Sequence, residues 1–166
     1  MEGYYSFPRP FHFHQSRLYI KHMPTFLTNS AKETQALGQL LAKELRGREV
    51  ICLDGELGAG KTTFTQGLLK ELGAKGPYTS PTFVIMKHYG LKARSHKLKS
   101  VYHIDAYRIG PNDLLQLGWQ EIITDPHTVT IIEWSDRIKR ILPKKLLRIK
   151  FLWVDENKRR LEFSEK

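Results

Sequence analysis

Residues 55 to 62 read Gly-Glu-Leu-Gly-Ala-Gly-Lys-Thr. Gly55, Gly60, Lys61 and Thr62 complete the spacing G-x-x-x-x-G-K-T, and each residue type has a task in holding a nucleotide polyphosphate. Glycines let the backbone curl so that the N–H groups of Gly55, Glu56, Leu57, Gly58, Ala59 and Gly60 point inward. A helix that follows adds the positive end of its dipole. Lys61 reaches the β- and γ-phosphates, the Thr62 hydroxyl binds Mg2+, and Thr63 is expected to touch the α-phosphate. The bland alternative, a glycine-rich turn ending in a solvent-facing lysine, does not explain why an apolar run precedes the motif and a helical pattern follows it.

Phosphate chemistry needs an acidic partner for the metal and a group that orients the attacking water. In sheets of this kind both stand at the ends of neighbouring strands. "VYHIDAYR" closes a strand at Asp105, and "VTIIEW" closes one at Glu133. Either carboxylate shares an edge with the glycine loop if its strand runs parallel to residues 49–54; the residues leave open which of the two orients water. Upstream, "YTSPTF" at 78–83 is a hydroxyl-rich turn pinned by Pro81. It is placed to reach the γ-phosphate as a switch-like segment, although turn chemistry explains it equally well.

These residues need a scaffold. "EVICLD" (49–54) is apolar on both faces, the pattern of a buried parallel strand. The glycine loop follows, then a helix expected over 61–72 and closed by Gly73. Before it, residues 25 to 47 predict a short strand and a helix: Ser30 and Glu33 have capping-box spacing, Leu37, Leu40, Leu41 and Leu45 keep a helical period, and Gly47 supplies the stop. Strands are expected at 82–89, 101–105, 128–132, 147–154 and 160–163, with helices over "PNDLLQLG" and "SDRIKRIL". The alternation, without internal repeats, predicts one α/β domain over 23–166. Residues 1–22 carry aromatics, histidines and two prolines without a helical period, and are expected to be a flexible extension or to precede the biological start at Met23. "HFH" at 12–14 is too few ligands for a metal site.

Composition sets outer bounds. The chain has 166 residues and one cysteine, Cys52, inside an apolar run, which predicts a buried thiol in a reducing, cytoplasmic setting. No apolar stretch approaches the ~20 residues that span a bilayer, and the N-terminus lacks a secretory signal core, so no membrane is expected. The formal charge is +10, from 27 Lys and Arg against 17 Asp and Glu, concentrated near 91–99, 137–145 and 158–160. It would suit a polyanion such as RNA, but charge alone names no partner, and an ordinary solvated basic face is the favoured reading.

Taken together, "GELGAGKTTFTQGLL", "TSPTF", "VYHIDAYR", "LGWQEI" and "IIEWSDRI" followed by "LP" resemble the bacterial TsaE (YjeE) family, small P-loop ATPases of tRNA threonylcarbamoyladenosine synthesis. The resemblance runs from about Thr25 to Phe163. It implies a P-loop NTPase-type three-layer α/β fold, whose mixed sheet has a parallel core and added antiparallel strands. It also implies an ATP/ADP and Mg2+ site, and weak ATP hydrolysis stimulated by the TsaB-TsaD complex. The complex is the component that modifies the adenosine beside the anticodon, so tRNA is involved at least indirectly. Alone, the protein is expected to be a monomer or weakly self-associating. Residue by residue, the resemblance assigns phosphate binding to Lys61 and Mg2+ to Thr62 with Glu133. It further gives Asp105 support of the metal or its water, Trp134 a place beside the site, Ser80 and Thr82 the switch-like turn, and the Ser30 region and late basic segment the flanks of the nucleotide. The chain departs from the family where it reads "NKRRLEF" in place of a Gly-Arg pair, in the extension, and in the longer, more basic "GLKARSHKLKS".

Two other classes compete. A small-molecule kinase would show an arginine-rich lid, which only "SDRIKR" imitates. A non-catalytic RNA-binding module would leave the glycine loop without a role and lacks an aromatic-basic strand signature.

Overall fold

The structure, a computed structural model, describes residues 5–6, 24–91 and 98–165. The "HFH" segment and most of the basic loop around 91–99 lie outside the described residues. Strands β1 (Tyr5–Ser6), β2 (Thr25–Thr28), β3 (Val50–Asp54), β4 (Met86–Gly90), β5 (Ser100–Asp105), β6 (Thr128–Glu133), β7 (Leu147–Trp153) and β8 (Arg159–Glu165) form one sheet. Their order is β1-β2-β8-β7-β3-β6-β5-β4. At its centre β7, β3, β6 and β5 run parallel; β8 and β4 are antiparallel to their neighbours. The expected mixed sheet with a parallel core is the observed one. Within the stretch expected to be an extension, the backbone of Tyr5–Ser6 pairs in parallel with Phe26–Leu27 at the sheet edge.

Both faces of the centre are covered, and β3 shows why the sequence there is continuously apolar. Ile51 and Leu53 pack into a cluster with Leu37, Leu41, Phe64 and Leu68 from helices α1 (Ala31–Glu44) and α2 (Lys61–Glu71). Val50 and Cys52 face the opposite cluster, with Leu114 of α3 (Pro111–Gln116), Trp119 of α4 (Trp119–Thr124) and Ile138. The buried Cys52 thiol is pushed up to about 11 by that burial. Ser30 caps α1, its Oγ accepting from Glu33 N at 3.1 Å, while the Glu33 carboxylate accepts from Asn29 N at 2.8 Å. The two helices approach backbone to backbone: a Cβ on Gly67 would stand 1.9 Å from the Gln35 carbonyl oxygen.

Three expected elements differ. The strand expected over 82–89 begins only at Met86, because residues 82–85 form a turn closed by Val84 N donating to Pro81 O at 2.9 Å. "SDRIKRIL" is a kinked 3-10 segment, Ser135–Ile141, that leaves helical geometry at Ile138. Gly118, expected at the end of one helix, lies between two, starting α4 in a left-handed conformation (φ 81°). Among the described residues no helix is long and apolar enough to cross a membrane.

Candidate functional site

The glycine loop joins β3 to α2, the strand-loop-helix context its chemistry requires. Gly55 adopts φ 147°, and a Cβ there would stand 2.5 Å from the Phe151 carbonyl oxygen, so only glycine lets the chain leave β3 past β7. Gly60 (φ 101°) then turns the chain into α2 with no side-chain cap, which leaves the first N–H groups of the helix for a ligand. Thr62 and Thr63 stand half-buried in this first turn. Glu56, Leu57 and Gly58 form the exposed tip, Leu57 at 92% exposure, while Ala59 is buried beneath it.

Lys61 is buried despite its charge. Its ammonium donates to Gly55 O at 2.7 Å and Glu56 O at 3.0 Å and lies 4.7 Å from the centre of the Trp134 ring. Burial lowers its pKa below the ordinary 10.5, opposed by the charges of Glu133, Asp105, Glu56 and Asp54. Trp134, with φ 60°, packs against Tyr107 at 5.1 Å between ring centres, and the Arg137 guanidinium lies 5.8 Å from the Tyr107 ring.

The parallel register settles the geometric condition on the two carboxylates. Asp105 is paired with Glu133 across β5 and β6, and Glu133 with Leu53 across β6 and β3, so both close strands at the edge that carries the loop. Their surroundings differ. Asp105 uses both oxygens: Oδ2 accepts from Thr82 Oγ1 at 2.7 Å and Oδ1 from Tyr107 N at 2.9 Å. Ser80 Oγ lies 2.8 Å from Thr82 Oγ1, so the hydroxyl-rich turn is strung onto Asp105. Arg108 also donates to the Thr82 carbonyl. Glu133 keeps Oε1 2.9 Å from His103 Nε2, in a pair where both residues are buried, and Oε2 meets no protein donor among the described residues.

Sequence reasoning passed over three participants. His103 sits two residues before Asp105 in the quoted motif, but only the β5–β6 register shows that it backs Glu133. Arg148 of β7 pairs with Asp54, the last residue of β3, and with Asp136 at 3.4 Å, and Ser135 Oγ donates to Asp54 at 3.0 Å. Arg159, one of the two arginines in "NKRRLEF", crosses to the glycine loop: its Nη2 lies 3.4 Å from Gly58 O, whereas Arg160 pairs with Glu162. Thr34 of α1 also lies near Gly60, so the first turn of α1 and the start of β8 border the loop.

The arrangement fits a metal shared with phosphates rather than one caged by protein. Among the described residues no three His, Cys, Asp or Glu side chains converge, whereas a hydroxyl and one partly uncommitted carboxylate border the glycine cradle.

Known proteins resemble the chain in both sequence and fold. The family model described as "Threonylcarbamoyl adenosine biosynthesis protein TsaE" matches residues 28–161. The chain is 34% identical over 137 residues to the tRNA threonylcarbamoyladenosine biosynthesis protein TsaE of Bacillus subtilis, covering 82% of each. It is 35% identical over 135 residues to that of Rickettsia felis, covering 80% of this chain and 75% of the relative. The crystal structure of Bacillus subtilis YdiB superposes with a TM-score of 0.70 at 30% identity, covering 85% of this chain and 84% of the other.

Proposed function

This chain belongs to the TsaE family of threonylcarbamoyl adenosine biosynthesis proteins, and we propose that it binds and hydrolyses ATP, with Mg2+, in the cytoplasm to sustain turnover of the TsaB-TsaD complex in tRNA modification. The observation that carries the reading is the juxtaposition of an uncapped glycine-loop helix with Glu133, a buried strand-end carboxylate with one oxygen uncommitted among the described residues.

In this reading the loop N–H groups and Lys61 bind the phosphates, and Arg159 flanks the loop from β8. Thr62 and Glu133 hold Mg2+, which when bound neutralises phosphate charge. The commitment of both Asp105 oxygens to Thr82 and Tyr107 favours a different task for Asp105: it positions the turn carrying Ser80 and Thr82 beside the γ-phosphate. Trp134 covers the Lys61 ammonium and helps exclude water from it.

A decisive measurement is ATP turnover alone, with candidate metabolite acceptors, and with TsaB-TsaD and tRNA. Stimulation by the complex, lost at least 100-fold in Lys61→Ala and Glu133→Ala, is expected. Phosphate transferred to a metabolite, or normal turnover by either variant, would overturn the reading.

A further inference from the structure

Residues 137–150, "RIKRILPKKLLRIK", carry seven basic side chains and no carboxylate, against a formal charge of +10 for the whole chain. They run from the 3-10 segment through an exposed turn into β7, on the side of the sheet opposite α1 and α2. Two adjoining concavities open along this path and share Arg148: one is also lined by Arg137, Lys150 and Trp134, the other by Lys139 and Lys144. Of the bordering carboxylates, Asp54 and Asp136 are engaged by Arg148 and Glu56 lies at the glycine-loop end, and Arg137, Lys139, Arg140, Lys144, Lys145 and Lys150 stand exposed without one of the chain's ion pairs among the described residues.

From this geometry we infer that the strip is a docking surface for the phosphate backbone of RNA. A run of seven cations with no carboxylate among them fits a continuous, evenly charged phosphate strand. Arg148 and Lys150 project from the same face of β7, roughly 7 Å apart at the usual strand rise. At one end the strip meets aromatic surface, Tyr107 at 49% exposure beside Trp134, on which an unpaired base can stack. The choice of a tRNA-sized ligand rests on the tRNA-modification reading above; the strip itself does not depend on ATP hydrolysis.

The test is fluorescence anisotropy of the full chain with a labelled tRNA transcript, without nucleotide, over a series of salt concentrations. Lys139→Glu/Lys144→Glu/Lys145→Glu is compared with Lys32→Glu/Lys43→Glu/Lys70→Glu, which changes the net charge equally but on exposed positions of α1 and α2. The strip variant is expected to bind at least tenfold more weakly and to flatten the log-affinity against log-salt slope by about 2, while the helix variant stays within about threefold of wild type. Equal losses in both variants, no RNA binding by wild type, or loss of TsaB-TsaD stimulation with RNA affinity unchanged would each overturn the inference, the last by marking an acidic protein partner. Thermal unfolding of both variants controls for folding, and ATP turnover of the uncomplexed protein, expected to be unchanged, separates failure here from failure of the ATPase reading.

Discussion

His103 Nε2 lies 2.9 Å from Glu133 Oε1 in a pair that is almost wholly buried, and His103 Nδ1 meets no partner among the described residues. A proton on Nδ1 would be a buried donor without an acceptor, so the favoured tautomer carries it on Nε2 and donates to Glu133. That bond fixes one carboxylate oxygen and leaves the other facing its task. Removing the donor in His103→Ala is expected to lower Mg2+ affinity or turnover about 10- to 100-fold, as for partners behind metal ligands generally. His103→Gln, which retains an N–H donor, should recover part of the loss. The measurement is nucleotide-analogue affinity and turnover against Mg2+ concentration; an unchanged Mg2+ dependence in the alanine variant would leave His103 a packing residue.

The lowered pKa of Lys61 gives the phosphate site a direction of pH dependence. Burial lets its ammonium lose the proton at a lower pH than an ordinary lysine, so affinity for the phosphates declines as pH rises, and does so earlier than an unperturbed lysine would dictate. Binding of a non-hydrolysable analogue between pH 7 and 10 should show this decline in wild type. Lys61→Arg, whose guanidinium stays charged, should bind with a flatter profile; identical profiles would show that another group titrates.

Gly67→Ala separates helix propensity from packing. Propensity alone would stabilise α2 by about 1 kcal/mol. The added Cβ, however, would stand 1.9 Å from Gln35 O on a backbone that cannot swing aside. Net destabilisation of about 1–3 kcal/mol is therefore expected in urea unfolding. A more stable variant would mean that α1 and α2 separate easily.

How much of this was legible in the sequence follows from the range of each interaction. The glycine loop is a local device, and eight consecutive residues declare it. Asp105 and Glu133 were visible as strand ends, but their common edge needed the parallel register of β3, β6 and β5. His103 and Arg148 were hidden because their partners lie 30 and 94 residues away, and nothing in their immediate neighbours marks them. Gly118 misled because a left-handed glycine ends one helix and equally begins another. "TFVI" at 82–85 misled in the opposite way: its β-branched, aromatic character favours a strand that the tertiary structure does not build.

That last disagreement has a physical consequence. Ile85 is β-branched, yet it sits at φ 66°, a conformation costing about 1–3 kcal/mol, and its carbonyl is held by Asp105 N at 2.9 Å. Phe83 and Val84, the apolar residues a longer β4 would carry, stand in solvent at 89% and 57% exposure. The turn is thus locally frustrated: its sequence pulls toward extension while hydrogen bonds from Thr82 and to Ile85 hold it folded on the end of β5. One residue, Asp105, is the latch for both.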